Sequence, residues 1–211
     1  MPTDPVLIPF GPRPSKINRN NMVRPRSASS LGVFCFAFLV WAPTLQRVTS
    51  PVVPPGFLLA RGRAGDIEVG APIDTIIQRV GVGNAHLVDL YHEGFFTPAL
   101  NVTLPDAPVS PALVLRIREF PCPFFSVWGI EVRDRRFRTA EGLGVGSTLG
   151  ELRRAYPVKL SNGEGATGAR VEPLGLSFGF RGFDPVESSP VNFVWLNLDP
   201  DEMRRRWCPR R

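Results

Sequence analysis

The chain runs to 211 residues, 43% hydrophobic and 21% charged, which is ordinary globular composition; its 23 prolines and 20 glycines favour turns and short strands over long helices. The net charge of +6 does not make it a nucleic-acid binder. Five bases (Arg13, Lys16, Arg19, Arg24, Arg26) precede residue 43 and five more lie from Arg204 to Arg211, so residues 43–203 hold 15 bases against 18 acids and no basic stripe crosses the fold. Lysine occurs only at Lys16 and Lys159, an arginine bias that fits a GC-rich genome better than phosphate recognition.

Residues 1–50 read as an N-terminal extension and a signal-like segment. Residues 1–21 are polar, proline-rich and unpatterned. Met22 is the expected start, followed by Arg24, Arg26 and an apolar run over 31–42. That run has the length of a signal h-region and falls short of the roughly 20 residues needed to span a bilayer. The expectation is an exported protein, with an uncleaved N-terminal membrane anchor or a buried core helix as alternatives. Beyond residue 42 only Cys122 and Cys208 remain, an even pair as an oxidising compartment would have. Each sits beside a proline, and a bridge between them would tie the tail to the centre of the fold; the alternative is two unrelated thiols.

Residues 51–65, rich in proline and then glycine, read as a linker. A first unit follows over 66–138. Ile67–Val69 is a short strand or turn, Pro72 suits the first position of a helix, and Ile73, Ile76, Ile77 and Val80 make one apolar face that Gly81 ends. Strands are expected over 85–91, 99–104, 112–117 and 127–132, the last burying Trp128, Ile130 and Val132. Arg133–Arg138 is a charged edge or turn. The second unit, 139–200, opens with a capping box of Thr148 and Glu151 and a helix that Pro157 stops. A polar loop over 161–167 and strands over 174–180 and 191–198 complete it. Residues 201–211 read as a basic tail.

The two units share a pattern 76 residues apart. Ile67–Val80 and Leu143–Tyr156 align at Val69-Gly70 with Val145-Gly146 and at four further apolar positions, 67/143, 73/149, 76/152 and 80/156. The fold class is therefore α+β, with two tandem related units, each a short helix packed on an antiparallel meander. A Val-Gly turn, a short helix and a strand meander in tandem resemble the repeats of the beta-lactamase-inhibitor-protein and BamE/SmpA-like outer-membrane-assembly lipoprotein group. That resemblance implies an exported protein that binds other proteins through its sheet face and has no catalytic site.

Several constellations bear on chemistry. Gly175-Leu-Ser177-Phe-Gly179 matches the G-x-S-x-G signature, but it alternates like a strand and both histidines lie upstream. Gly142-Leu-Gly-Val-Gly146 lacks a phosphate-loop lysine and reads as a turn into a helix. His86, Asp89, His92 and Glu93 are the one group of metal-ligand types; on a strand His86 and His92 share a face and the two acids point away, so no metal or other cofactor is expected. Trp128, Phe178 and Trp195 are candidates for an interaction surface, since aromatics enrich binding hot spots. Arg133, Arg135 and Arg136 could grip an anionic partner, or serve as a solvated edge that discourages strand addition. The arginine tail could touch anionic lipid headgroups.

These features point to an exported, non-enzymatic protein acting by protein–protein or cell-envelope interaction. The alternative is a small-ligand-binding protein or hydrolase with a site near His86–Glu93.

Overall fold

The computed structural model describes residues 53–208, apart from Glu93, Phe120 and Glu164. The signal-like segment with Met22, and the tail arginines Arg210 and Arg211, lie outside the described residues.

Among the described residues there are two antiparallel sheets and three α-helices, an α+β arrangement. The small sheet is β1 (Leu59–Ala60), β2 (Arg63–Ala64) and β3 (Ile67–Glu68) in that order. β1 and β2 occupy the stretch 51–65 read from sequence as a linker, which is a correction, while β3 falls where a short strand or turn was expected. Two-residue strands are too short to show alternation. They are held by non-local bonds, with Leu59 N–H donating to the Arg138 carbonyl at 2.7 Å and Arg138 N–H to that of Phe57 at 3.0 Å.

Helix α1 (Ile73–Val80) begins after Pro72 and ends at Gly81, whose φ of 85° suits glycine. Ile76 is fully buried, and Ile73, Ile77 and Val80 pack against the core, as the apolar spacing requires. Helix α2 (Leu149–Ala155) carries the expected capping box: Glu151 N–H donates to Thr148 Oγ1, and Thr148 N–H donates to the Glu151 carboxylate.

The large sheet has eight strands: β4 (Ala85–His92), β5 (Phe95–Val102), β6 (Leu113–Arg118), β7 (Ser126–Val132), β8 (Lys159–Gly163), β9 (Ala166–Val171), β10 (Leu176–Arg181) and β11 (Phe193–Asn197). Their spatial order is β4-β5-β6-β7-β11-β10-β9-β8, antiparallel throughout. Two four-stranded meanders thus meet where β7 pairs with β11.

β5 starts before the expected residue 99. Pro98 is tolerated there because β6 pairs only from Ala99 onward, so no neighbour on that side asks for the missing N–H. The polar stretch 161–167 forms the β8–β9 hairpin rather than a loop; its glycines and polar residues carry no apolar period, yet β10 supplies a template for pairing. The expected tail is in part a third helix, α3 (Pro200–Trp207). Asp199 caps it by accepting from Asp201 N–H and Glu202 N–H, and Met203 is buried.

One face of the large sheet carries the core. Leu100, Val102, Leu113, Leu115, Ile130, Val132, Val194, Leu196, Leu176 and Phe178 align across it in register, and α1 and α2 cover it through Ile76, Leu149 and Leu152. Burying such side chains stabilises the fold by about 1.5–3 kcal/mol each. The opposite face carries no helix among the described residues.

Candidate functional site

The helix-free face is built by strand alternation. Phe193, Trp195 and Asn197 on β11 point away from Val194 and Leu196, and Trp195 stands in register between Glu131 on β7 and Ser177 on β10. A register shift opposite Arg116/Ile117 leaves Trp128 as the extra residue of β7, since Arg116 pairs with Gly129 and Ile117 with Val127. Val127 takes the core position instead, and Trp128 is only half-buried. The expectation that Trp128 lies in the core strip is thereby corrected. Its ring meets that of Trp195 edge to face at 5.7 Å.

Glycines make room for these rings. A Cβ on Gly129 would lie 2.4 Å from the Trp195 ring, and one on Gly179 would lie 2.1 Å from the Phe193 ring. Beside them runs a shallow trough of about 250 Å³ over β8–β10, floored by Ser161, Ala166, Gly168 and Ser177 and walled by Phe193 and Trp195. That volume is below the range of about 300–1,000 Å³ usual for small-molecule sites.

The polar groups of this face are unevenly satisfied. The Glu131 carboxylate is taken by Arg133 at 2.7 Å, and Arg170 pairs with Glu172 at 2.8 Å. Arg116 lies over the Trp195 ring, 5.3 Å from its centroid, and its Nε is buried without a hydrogen-bond partner.

The remaining sequence candidates are placed as follows. Phe178 is fully buried under the helices, because its position on β10 has the parity of Leu176 and Phe180; it is a core residue and not part of a surface. Arg133 is held by Glu131, while Arg136 pairs with Asp134 and Asp106 and lies over Phe57. Arg136 thereby depresses the Asp134 carboxyl below its ordinary pKa. Arg135 is exposed beside Gly146. His86 and Asp89 are exposed on opposite faces of β4, His92 ends that strand, and Glu93 lies outside the described residues. Among the described residues no group of three His, Cys, Asp or Glu is arranged to hold a metal. Ser177 is the second residue of β10, paired with Trp195 and Arg170, and is followed by strand and not by the helix that a G-x-S-x-G elbow needs. In the tail, Arg204 and Arg206 pair with Asp201 and Glu202.

Cys122 and Cys208 form a disulfide with Cα atoms 5.2 Å apart, which fixes the end of α3 to the segment before β7. No helix among the described residues is long and apolar enough to cross a membrane.

Sequence reasoning missed Arg116, Phe193 and the β8–β9 side of the trough. The alternation Phe193-Val194-Trp195-Leu196 was a readable signal; the β7 bulge and the Arg116 contact were not.

No protein-family model and no curated protein sequence matches the chain. Among solved structures it is similar to the uncharacterized protein YfeY from Escherichia coli, with 15% identity and a TM-score of 0.48, over 67% of this chain and 99% of that one.

Proposed function

We propose that the chain is an exported, non-enzymatic protein of two related helix-plus-meander units that acts by binding another protein of the cell envelope through its helix-free sheet face. The observation that carries this reading is the half-buried Trp128–Trp195 pair beside a floor of small residues.

The relation between the units is supported by matching hydrogen bonds. Gly70 N–H donates to the Val127 carbonyl at 2.5 Å, and Val127 N–H to that of Ala71 at 3.0 Å. The same exchange links Gly146, Val191 and Ser147 at 2.8 and 2.7 Å. Both glycines have positive φ, 94° and 90°. The pattern is consistent with the beta-lactamase-inhibitor-protein and BamE/SmpA-like resemblance. Export is supported by the disulfide and by the signal-like segment read from the sequence. Against a hydrolase or ligand site near His86–Glu93 stands the separation of His86 and Asp89 onto opposite faces.

Site-directed photo-crosslinking in the native host tests the reading. A crosslinker at position 197, on the same face, should capture a specific protein, and Trp195→Ala should abolish the adduct. An adduct formed only from the helix-covered side, or one unaffected by Trp195→Ala, refutes it.

A further inference from the structure

The charge of the helix-free face says what the partner must bring. By strand parity Arg116, Lys159, Arg170 and Arg181 project from it, against Glu131 as the single acid among the described strand residues, whose carboxylate Arg133 already holds. Arg170 has Glu172. Arg116 has the Trp195 ring, no acid among the described residues, and a buried Nε without an acceptor. A buried donor left unmade is costly, and a cation–π contact satisfies the charge without satisfying the N–H. The body of the chain from 43 to 203 nevertheless carries more acids than bases. The strands of this face therefore carry a local excess of bases over acids that the body as a whole lacks.

We infer that the partner element is an acidic polypeptide segment whose carboxylate pairs with Arg116 while a neighbouring aromatic or branched aliphatic side chain fills the trough over Gly168. Trp195 borders both places, with the Arg116 guanidinium over its ring and the trough along its edge. The trough suits one side chain better than a free small molecule, because its volume is about 250 Å³ and its lining is mostly apolar. Arginine next to an aromatic is a composition that binding centres favour, and a desolvated carboxylate there makes a charge-assisted pair. This inference rests on the sheet-face reading above and adds to it the chemistry of the occupant.

The glycines supply a clean variant. A Cβ on Gly168 meets Ser161 Oγ at 3.5 Å, an ordinary contact, and its φ is not in the left-handed region. Gly168→Leu should therefore fold and fill the trough, with Gly168→Ala as a milder version.

The test is selection of short random peptides displayed on phage against the intact, disulfide-bonded protein. Each recovered peptide is then titrated against Gly168→Leu and Arg116→Met, with thermal melting as the check that the variants fold. The expected result is a set of peptides enriched in Asp or Glu next to one large apolar residue. Gly168→Leu should abolish their binding, and Arg116→Met should weaken it by about tenfold or more, the scale of a hydrogen-bonded charge pair. Amide shifts on β9 and β10 of the unmodified chain provide a readout independent of any variant. Peptides that depend on the trough but lack acidic enrichment, or that ignore Arg116→Met, overturn the inference and leave the sheet-face reading standing. Peptides that bind wild type and Gly168→Leu alike, or a selection that recovers none, overturn both.

Discussion

The Trp195 ring lies over Gly129 of the neighbouring strand, so close that a Cβ at 129 would sit 2.4 Å from it. Gly129→Ala should therefore push Trp195 off the sheet and break its edge-to-face contact with Trp128. Overpacking of this kind costs about 1–3 kcal/mol. Chemical denaturation together with tryptophan fluorescence would show both the lost stability and the displaced ring. Gly168→Ala is the contrast. Its Cβ has room, and removing a strand glycine should raise stability by about 0.5–1 kcal/mol.

The Cys122–Cys208 bridge closes a loop of 86 residues in sequence separation. Chain-entropy reasoning gives such a loop about 4–5 kcal/mol, less whatever structure the reduced unfolded chain keeps. Cys208→Ser should lower stability by about 2–5 kcal/mol. The loss should fall first on α3, whose burial rests on Met203 and on Trp207 against Gly70. Hydrogen exchange under reducing conditions should show α3 opening before the large sheet. Simultaneous loss of both would show that the helix is integral to the core.

Tyr156 and Asp134 contribute pH-dependent stability at opposite ends of the pH scale. Burial, reinforced by the nearby Glu141 carboxylate, pushes the Tyr156 phenol up to about 12. The neutral phenol is thus favoured in the folded state, and the stability it confers is complete below the ordinary value of 10 and lost as pH rises through about 12. Asp134 is depressed below 3.8 by its hydrogen bonds to Arg136. Its contribution is present above 3.8 and disappears as pH falls through the lowered value. Phenolate absorbance should show Tyr156 titrating near 12, and Tyr156→Phe should remove that step. Arg136→Met should move the onset of acid unfolding to higher pH.

Helix α2 depends on its cap where α1 does not. Thr148 and Glu151 satisfy two orphan amides reciprocally, whereas Pro72 before α1 makes no side-chain cap. Thr148→Ala should cost about 1 kcal/mol in equilibrium unfolding, and a change below the measurement error would show that Leu149 and Leu152 hold the helix unaided.

Much of this fold was legible because local signals and tertiary demands agree. The 3.6-residue period of Ile73, Ile76, Ile77 and Val80, the Thr148–Glu151 box and the alternation through Val194 and Leu196 are each local, and each forms as read. The misreadings share a non-local cause. Strands β1 and β2 exist because Arg138 pairs with Phe57 and Leu59, and the hairpin β8–β9 exists because β10 receives it. Helix α3 was hidden by three successive arginines, although Asp199-Pro200 is a start signal. The candidate site was half legible: alternation puts Trp195 on a face, but only the bulge brings Trp128 to it and only the register brings Arg116 over its ring.

Gly70 and Gly146 occupy matching turns, yet substitution should not affect them equally. Both have φ near 90°, so either alanine pays for a left-handed backbone, a strain of about 1–3 kcal/mol. At Gly146 the nearest atoms to the added Cβ belong to the Arg135 side chain, from 3.5 Å, and a long exposed side chain can give way. At Gly70 it would lie 2.3 Å from the Trp207 ring, which packs against the core and is followed directly by the bridged Cys208. Trp207 cannot retreat without pulling on the disulfide. Gly70→Ala should therefore destabilise more than Gly146→Ala, and the excess should shrink in a Cys208→Ser background, where α3 is free to shift. A double-mutant cycle by urea denaturation measures that coupling. Equal losses at the two glycines, or strict additivity with Cys208→Ser, would mean that Trp207 does not transmit the bridge to the first turn.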